Sequence, residues 1–243
     1  MTDFWHLHHI DWLSGLSRTE SERLQRESSL RTYAAGEMVF APTPDPSSVY
    51  ILEEGRVRIF RHSKSGGEMT LGYVSPGEVF GVLAVFSGDG RENFALAVTP
   101  STVRRIPRAV FRRLLDARPI LTFEVTKQIG TRFQRIASRV EQLIFCNVRT
   151  RVARVLLELA HDFGRREDGR TVIDVPLTQS DLATLVGAVR QTVNPSLREF
   201  EQKGWIGRKG THLVVYKPEE LQQAAQIENR LDVVAGRAGV LRR

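Results

Sequence analysis

Cysteine is almost missing. The 243 residues contain one, Cys146, so no disulfide can form within the chain. A cysteine-knuckle zinc site and a cysteine-ligated iron–sulfur cluster are excluded with it. Cys146 itself reads as a half-buried thiol. Long apolar runs are missing too: none approaches the ~18 residues of a membrane-spanning helix, and no charged-then-apolar leader opens the chain. The expectation is a cytoplasmic protein with no membrane partner. No nucleophile–base pair and no metal-ligand spacing appears, which argues against an enzyme. His6, His8 and His9 in "HLHH" have the chemistry of haem or metal ligands, but their place near the start reads as a mobile terminus.

What is present is an ordinary globular composition, 41% apolar and 26% charged, long enough for one large domain or two small ones. Lysine and arginine number 35 against 28 acidic residues, a formal net charge of +7. That balance favours polyanionic partners. From Cys146 onward there are 16 basic and 12 acidic residues, so a modest majority of the excess lies in that half.

The pattern changes twice along the chain. Trp5 to Ser28 is weakly helical, with Leu13, Leu16 and Leu24 as its apolar points. From Leu30, "LRTYAAGEMVFAP", "SSVYILEEGRVRIFRH", "EMTLGYVSPGEVFG" and "NFALAVTPSTVRRIP" are short β-rich runs punctuated by glycine turns. Many short strands at near-regular spacing predict an antiparallel barrel or jelly-roll. After Pro107 the pattern is helical. "RAVFRRLLDARP" is a short amphipathic helix ended by Pro119, and a long helix follows to Phe145. Its apolar residues Ile129, Phe133, Ile136, Val140 and Leu143 recur in steps of four and three, the narrow seam of a coiled coil. Such a seam meets its own copy, which predicts a symmetric homodimer along this helix. Arg132, Arg135, Arg139 and Glu141 keep the other faces wet.

A further helix starts near Asn147, with Val152, Val155, Leu156 and Leu159 on one face. "GRREDGRTVIDVPLT" reads as a turn and a short strand. Thr178 to Pro218 then parses as helix, tight turn, helix, β-hairpin. Thr178 is a good N-cap, with Asp181 in the first turn. Gly187 breaks the first helix, and a second runs from about Val189 through Val193, Leu197 and Phe200. Two short helices joined at a glycine are the helix-turn-helix unit, whose second helix enters the DNA major groove. The hairpin around Lys209, Gly210 and Thr211 makes a wing that can touch phosphates. Arg190 can pair with guanine and Gln191 with adenine, while Thr192 and Asn194 can reach base edges or phosphates. Thr178, Gln179 and Ser180 sit at a helix N-terminus, where free N–H groups favour a phosphate. Pro195 lies inside the second helix and removes a backbone donor. The apolar series Val189, Val193, Leu197 favours a kinked helix there over one that begins at Pro195.

The order β-barrel, long helix, winged helix-turn-helix resembles the CRP/FNR family of transcription regulators. The resemblance spans about residues 10–225 and rests on "GEVFGVLAVFSG", "FCNVRTRVARVLLELA" and the block from Thr178 to Tyr216. It implies an α+β chain: a β-roll of the cyclic-nucleotide-binding type over 1–118 and a dimerisation helix over 119–145. A winged helix-turn-helix over 146–225 and a tail over 226–243 complete it. It also implies a homodimer on a two-fold symmetric site in double-stranded DNA that recruits or blocks RNA polymerase. "GRREDGR", from Gly164 to Arg170, falls where family activators touch the polymerase; a solvated charged turn explains it equally well.

The resemblance places a small-molecule pocket at Phe80, Gly81, Val82 and Leu83, with Arg91 and Arg132 as its cationic candidates. The effector stays unknown. In cAMP-binding members a glutamate holds the ribose and an arginine–serine pair grips the phosphate; here Val82, Glu92 and Asn93 stand in those places. Glu92 would repel a phosphate next to it by several kcal/mol at low effective dielectric. The polar pair that meets adenine falls at Ile136 and Ala137. The pocket run is nearest to nitrogen-control members that bind 2-oxoglutarate, whose dimer-helix arginine matches Arg132. Their pocket arginine is Asn93 here and their dimer-helix glutamate is Ala137. The N-terminal cysteines of oxygen-sensing members are missing, which disfavours an iron–sulfur cluster; the substituted pocket residues disfavour cAMP, and the terminal place of the histidines disfavours haem. On the DNA side, the cAMP-type Arg-Glu-Arg reading set becomes Arg190, Gln191 and Pro195, which predicts a different half-site. The remaining readings are an effector-independent regulator of the same family and, more distantly, a small-molecule-binding module without DNA.

Overall fold

The structure, a computed structural model, describes residues 16–64, 66–87 and 90–226. The chain divides into two compact units at Phe133 and Gln134, inside the long helix. His6, His8 and His9, Gly88 and Asp89 of the pocket run, and the tail beyond Gln226 lie outside the described residues.

The first unit begins with α1 (Arg18–Glu27). Ser17 and Glu20 cap it reciprocally, each side chain bonding the other's backbone N–H. Eight strands follow: β1 (Ser29–Tyr33), β2 (Met38–Phe40), β3 (Ser48–Glu54), β4 (Val57–His62), β5 (Glu68–Val74), β6 (Val79–Phe80), β7 (Phe94–Ala97) and β8 (Ser101–Pro107). They pair antiparallel in two four-stranded sheets, ordered β1-β8-β3-β6 and β2-β7-β4-β5. Three helices complete the unit: α2 (Val82–Ser87), α3 (Arg108–Ala117) and the first part of α4 (Pro119–Phe145).

β3 shows why the four β-rich runs fold this way. Alternate side chains of a strand point to opposite faces. Tyr50 and Leu52 join Phe40, Val57, Phe80 and Val103 in a core shared by the two sheets. Val49 and Ile51 turn the other way and pack with Leu24, Val85, Ile106, Phe111, Leu121 and Val125 from the helices. A strand buried on both faces must be continuously apolar, and "VYIL" is.

The second unit holds the rest of α4 and α5 (Val148–Phe163), whose N-cap Asn147 accepts from the N–H of Thr150. Next come β9 (Gly164–Glu167), β10 (Arg170–Ile173), α6 (Gln179–Val186) and α7 (Arg190–Gln202). β11 (Ile206–Lys209), β12 (His212–Val215) and α8 (Pro218–Ala224) end the described chain. The sheet order is β11-β12-β10-β9, and α5 packs against α6, α7 and α8. Val152, Val155, Leu156 and Leu159 are all buried.

Three expectations change here. The stretch after Gly164 holds two strands, not one. β9 and β10 close on Asp168 and Gly169, both with positive φ (47° and 79°), the conformation an Asp-Gly hairpin turn prefers. α8 was not anticipated; proline at its first turn followed by Glu219 and Glu220 is the start signal that marks it. Val189 leaves the apolar series. It is the extended N-cap of α7 rather than a helical residue, so it is out of phase with the buried Val193 and Leu197 and stays 61% exposed. A single helix does run through Pro195.

Candidate nucleic-acid interface

The turn between α6 and α7 is built by Gly187. Its φ of 68° and ψ of 45° are left-handed, and its N–H closes α6 on the carbonyl of Ala183. A side chain here would also meet Leu143 of α4, with a Cβ at 2.9 Å from Cδ2. The left-handed backbone is what calls for glycine; the tip of the half-exposed Leu143 side chain can swing aside. Gly187→Ala is expected to destabilise the second unit by at least the roughly 1–2 kcal/mol of a left-handed alanine. Thermal unfolding followed by circular dichroism checks this, with a fall of about 4 °C or more expected.

At the start of α6, Thr178 and Ser180 are exposed and Gln179 is half-buried. The Thr178 hydroxyl and N–H both donate to Asp181 Oδ2, at 2.6 and 2.8 Å, and the hydroxyl accepts from the Asp181 N–H. Gln179 does something the sequence did not suggest: its Oε1 accepts from Arg190 Nη2 at 3.3 Å. Arg190, Gln191, Thr192, Pro195 and Arg198 form the exposed side of α7, while Val193, Ser196, Leu197 and Phe200 form its buried side. Asn194 does not join the exposed group. It is half-buried, and its Oδ1 is buried without a hydrogen-bond partner. On the wing, Lys209 and Thr211 are exposed, and Lys209 Nζ pairs with Glu167 Oε2 at 2.8 Å. That ammonium holds the Glu167 carboxyl below its ordinary range.

One ion cluster fixes α7 against α5. Arg149 makes a two-nitrogen contact with Glu199 (3.1 and 3.1–3.2 Å) and lies over the rings of Phe200 and Trp205. Lys203 Nζ reaches the same carboxylate at 2.7 Å. The Arg149 hydrogen bonds, then those of Lys203, pull the Glu199 carboxyl from 4.5 down to about 2. A carboxylate with a lowered folded-state pKa stabilises the fold above its unfolded value, and the contribution is lost as pH falls from about 4.5 toward 2. The pair is about one-third exposed, so solvent screening holds its worth to ~1 kcal/mol or less. Glu199→Gln is therefore expected to lower urea stability slightly at pH 7. At pH 3 the gap to wild type narrows; a constant gap across that range would contradict the assignment.

The seam on α4 divides in two. Ile129 is half-buried and packs on the core of the first unit, because Leu121, Val125 and Gln128 turn the same part of α4 inward. Phe133, Ile136, Val140 and Leu143 are 70%, 43%, 50% and 48% exposed.

In the β-roll the pocket residues scatter. Phe80 is buried between the sheets, and Val82 is buried on the opposite side, among the helices. Leu83 and Phe86 are 64% and 52% exposed. The run "VLAVFS" is a helix, so only Val82 and Val85 share the inward side. Arg132 is not free for a ligand; its Nη2 lies 3.4 Å from Glu78 Oε2. Nearby, Gln128 Oε1 accepts from the Val79 N–H at 3.3 Å.

Arg91 is the inward cation, only 6% exposed. Its Nη2 donates to the carbonyls of Ser48 (2.7 Å) and Gly81 (3.2 Å). The guanidinium lies 4.1 Å from the Phe40 ring centre and 5.1 Å from that of Tyr50, and its Nε is buried without a partner. Gly81, at φ 73°, allows the approach; a Cβ there would sit 2.9 Å from Arg91 Nη2. Glu92 was expected to face the ligand. It points out and pairs with Arg61, because Thr43 and Arg91 pair backbone to backbone and turn Arg91 inward. Phe40 and Tyr50 were missed: they lie far upstream, and no motif joins them to Arg91.

Among the described residues, no group of three or more His, Cys, Asp or Glu is placed to hold a metal ion. No helix among them is long and apolar enough to cross a membrane.

Comparison with known proteins agrees with this layout. The family model described as "Cyclic nucleotide-binding domain" matches residues 30–118, and that described as "Crp-like helix-turn-helix domain" matches residues 150–224. The CRP-like cAMP-activated global transcriptional regulator of Mycobacterium tuberculosis is 32% identical over 194 residues, 80% of this chain and 87% of that protein. The global nitrogen regulator of Synechococcus elongatus is 27% identical over 196 residues, 80% of this chain and 88% of that one. Among solved structures, a CRP/FNR-family transcriptional regulator from Thermus thermophilus shares 27% identity. It superposes with a TM-score of 0.67, covering 81% of this chain and 98% of the other.

Proposed function

Since this chain belongs to the CRP/FNR family of DNA-binding transcription regulators, we propose that it acts as a homodimer on a two-fold symmetric site in double-stranded DNA. Two copies meet along Phe133, Ile136, Val140 and Leu143, and each lays α7 in the major groove of one half-site. The observation that carries this reading is the outward face of α7. Arg190 stands there on the second helix of a glycine-closed turn, steadied by Gln179. Its planar fork suits guanine, and Gln191 beside it suits adenine. Thr192 lies on the same face. Thr178 and Ser180 at the start of α6, with Lys209 and Thr211 on the wing, face the phosphates. A contiguous apolar face on an otherwise polar helix supports the dimer. The half-sites are then spaced by one DNA turn, ~34 Å. Regulation follows from occupying DNA, with no catalytic step. The exposed β9–β10 hairpin is where RNA polymerase would be met. Selection of bound sequences from random DNA tests the reading. A two-fold symmetric motif with guanine in each half is expected; an asymmetric motif, or no enrichment, overturns it.

The family's cyclic nucleotide fits this β-roll only in part. Arg91 is a buried guanidinium with carbonyl and ring partners and, among the described residues, no paired carboxylate, so an anionic group suits it. Val82, buried at 6% exposure, offers no acceptor to a ribose hydroxyl. We read the effector, accordingly, as an anion other than a cyclic nucleotide. Titration calorimetry with cyclic nucleotides, cyclic dinucleotides and 2-oxoacids checks this. Heat that vanishes in Arg91→Met and comes from a ligand without ribose supports it. Tight cyclic AMP binding contradicts it, and silence from every ligand, with DNA binding intact, favours the effector-independent regulator.

A further inference from the structure

The outward face of α7 carries two apolar side chains that the fold does not ask for. Val189 is the N-cap and supplies no capping hydrogen bond, where Ser, Thr, Asp or Asn would stabilise the helix. Pro195 is exposed inside the helix, where it removes a backbone donor and is the least favourable residue. Neither is repaid by burial: the core-facing residues are Val193, Ser196, Leu197 and Phe200. Local rules broken without a packing gain mark functional positions.

Their placement gives the function. At 3.6 residues per turn, Pro195 lies one turn from Gln191 and Thr192 on the same side of the helix, and Arg198 continues that column. Val189 adjoins Arg190. Both apolar groups therefore flank the side chains that read guanine and adenine. In the major groove the base edges present hydrogen-bond donors and acceptors, with one apolar exception, the C5 methyl of thymine. A hydrogen-bonding base edge loses water against a proline ring and gains nothing in return, whereas a methyl group gains contact.

We propose that Val189 and Pro195 are specificity-determining residues that read thymine methyl groups next to the bases taken by Arg190 and Gln191. This rests on the reading that α7 enters the major groove. Each half-site then contains thymine at one or two fixed positions, chosen by the methyl rather than by hydrogen bonding.

Uracil in place of thymine removes that methyl and nothing else from the groove. Fluorescence anisotropy of the full chain, at one fixed salt concentration, compares the selected duplex with copies carrying deoxyuridine at single thymines. At the methyl-read positions affinity is expected to fall roughly fourfold for one half-site and about fifteenfold when both are changed, the worth of one buried methyl in each. In Pro195→Ala the loss disappears at one thymine, and in Val189→Ser at the other, while both variants still bind. Alanine and serine suit these helix positions better, so both variants remain folded. Equal binding of thymine and uracil duplexes at every position overturns the proposal, as does an unchanged uracil effect in both variants. Failure to bind any selected duplex overturns the groove reading itself and this inference with it.

Discussion

Val140→Glu is expected to turn the dimer into a monomer and to weaken binding to a symmetric site by at least a hundredfold. Val140 is half exposed in the single chain, so the substitution leaves the fold of that chain intact. In a two-fold dimer the same position arises twice on one seam. Two carboxylates would be taken out of water beside each other with no cation to pair, a penalty of several kcal/mol per ion. Losing the dimer unlinks two DNA contacts, and linked binding exceeds single-site binding by about 10²–10⁴. Sedimentation equilibrium reads the assembly and anisotropy reads the affinity. A variant that stays dimeric, or a monomer that keeps full affinity, would show that the face on α4 is not the assembly surface. Phe133→Ser, at a more exposed place on the helix, is the milder partner experiment.

The second large effect is at Arg190. If Arg190 forks onto guanine as proposed, Arg190→Ala removes a contact worth about 1–3 kcal/mol from each half of the site, so affinity is expected to fall by roughly 30-fold or more. The diagnostic part is the base preference. Discrimination for guanine at one position in each half is lost, while the dependence on salt changes by no more than the removed charge requires. Arg190→Lys is not expected to restore it, because an ammonium lacks the planar fork. Gln179→Ala is expected to produce a weaker version of the same change, since Gln179 holds Arg190 through one hydrogen bond. Uniform weakening across all sequences would instead assign Arg190 to the phosphates.

Most of the fold was legible because its strongest signals are local. β3 announced itself by a continuous apolar run, α4 by steps of three and four, and the α6–α7 turn by a single glycine in the left-handed region. What stayed hidden depended on pairing or on phase. "GRRE" carries no apolar alternation, and it becomes a strand only because β10 lies beside it. "VLAVFS" is too short to declare a period, so Leu83 and Phe86 could not be placed outside. Ile129 belongs to the seam by spacing and to the core of the first unit by packing.

The β-roll interior was the hardest part to foresee. Arg91 and Glu92 are neighbours with opposite charge, and only the backbone pairing of Arg91 with Thr43 decides which faces in. The answer reverses the electrostatics, since an inward glutamate would repel an anion and an inward arginine attracts one. The rings that carry the guanidinium come from β2 and β3, too far along the chain to be linked to it by spacing. On α7, by contrast, the exposed polar residues were apparent at once, while the burial of the Asn194 carbonyl oxygen was not.

The central claim is that two copies of this chain hold one symmetric DNA site. Light scattering on the complex of the full chain with its selected duplex measures this directly. Two chains per duplex are expected, and scrambling either half-site is expected to lower the affinity at least a hundredfold while any complex that still forms keeps two chains. One chain on the intact duplex, or an affinity unchanged after one half-site is scrambled, would contradict it.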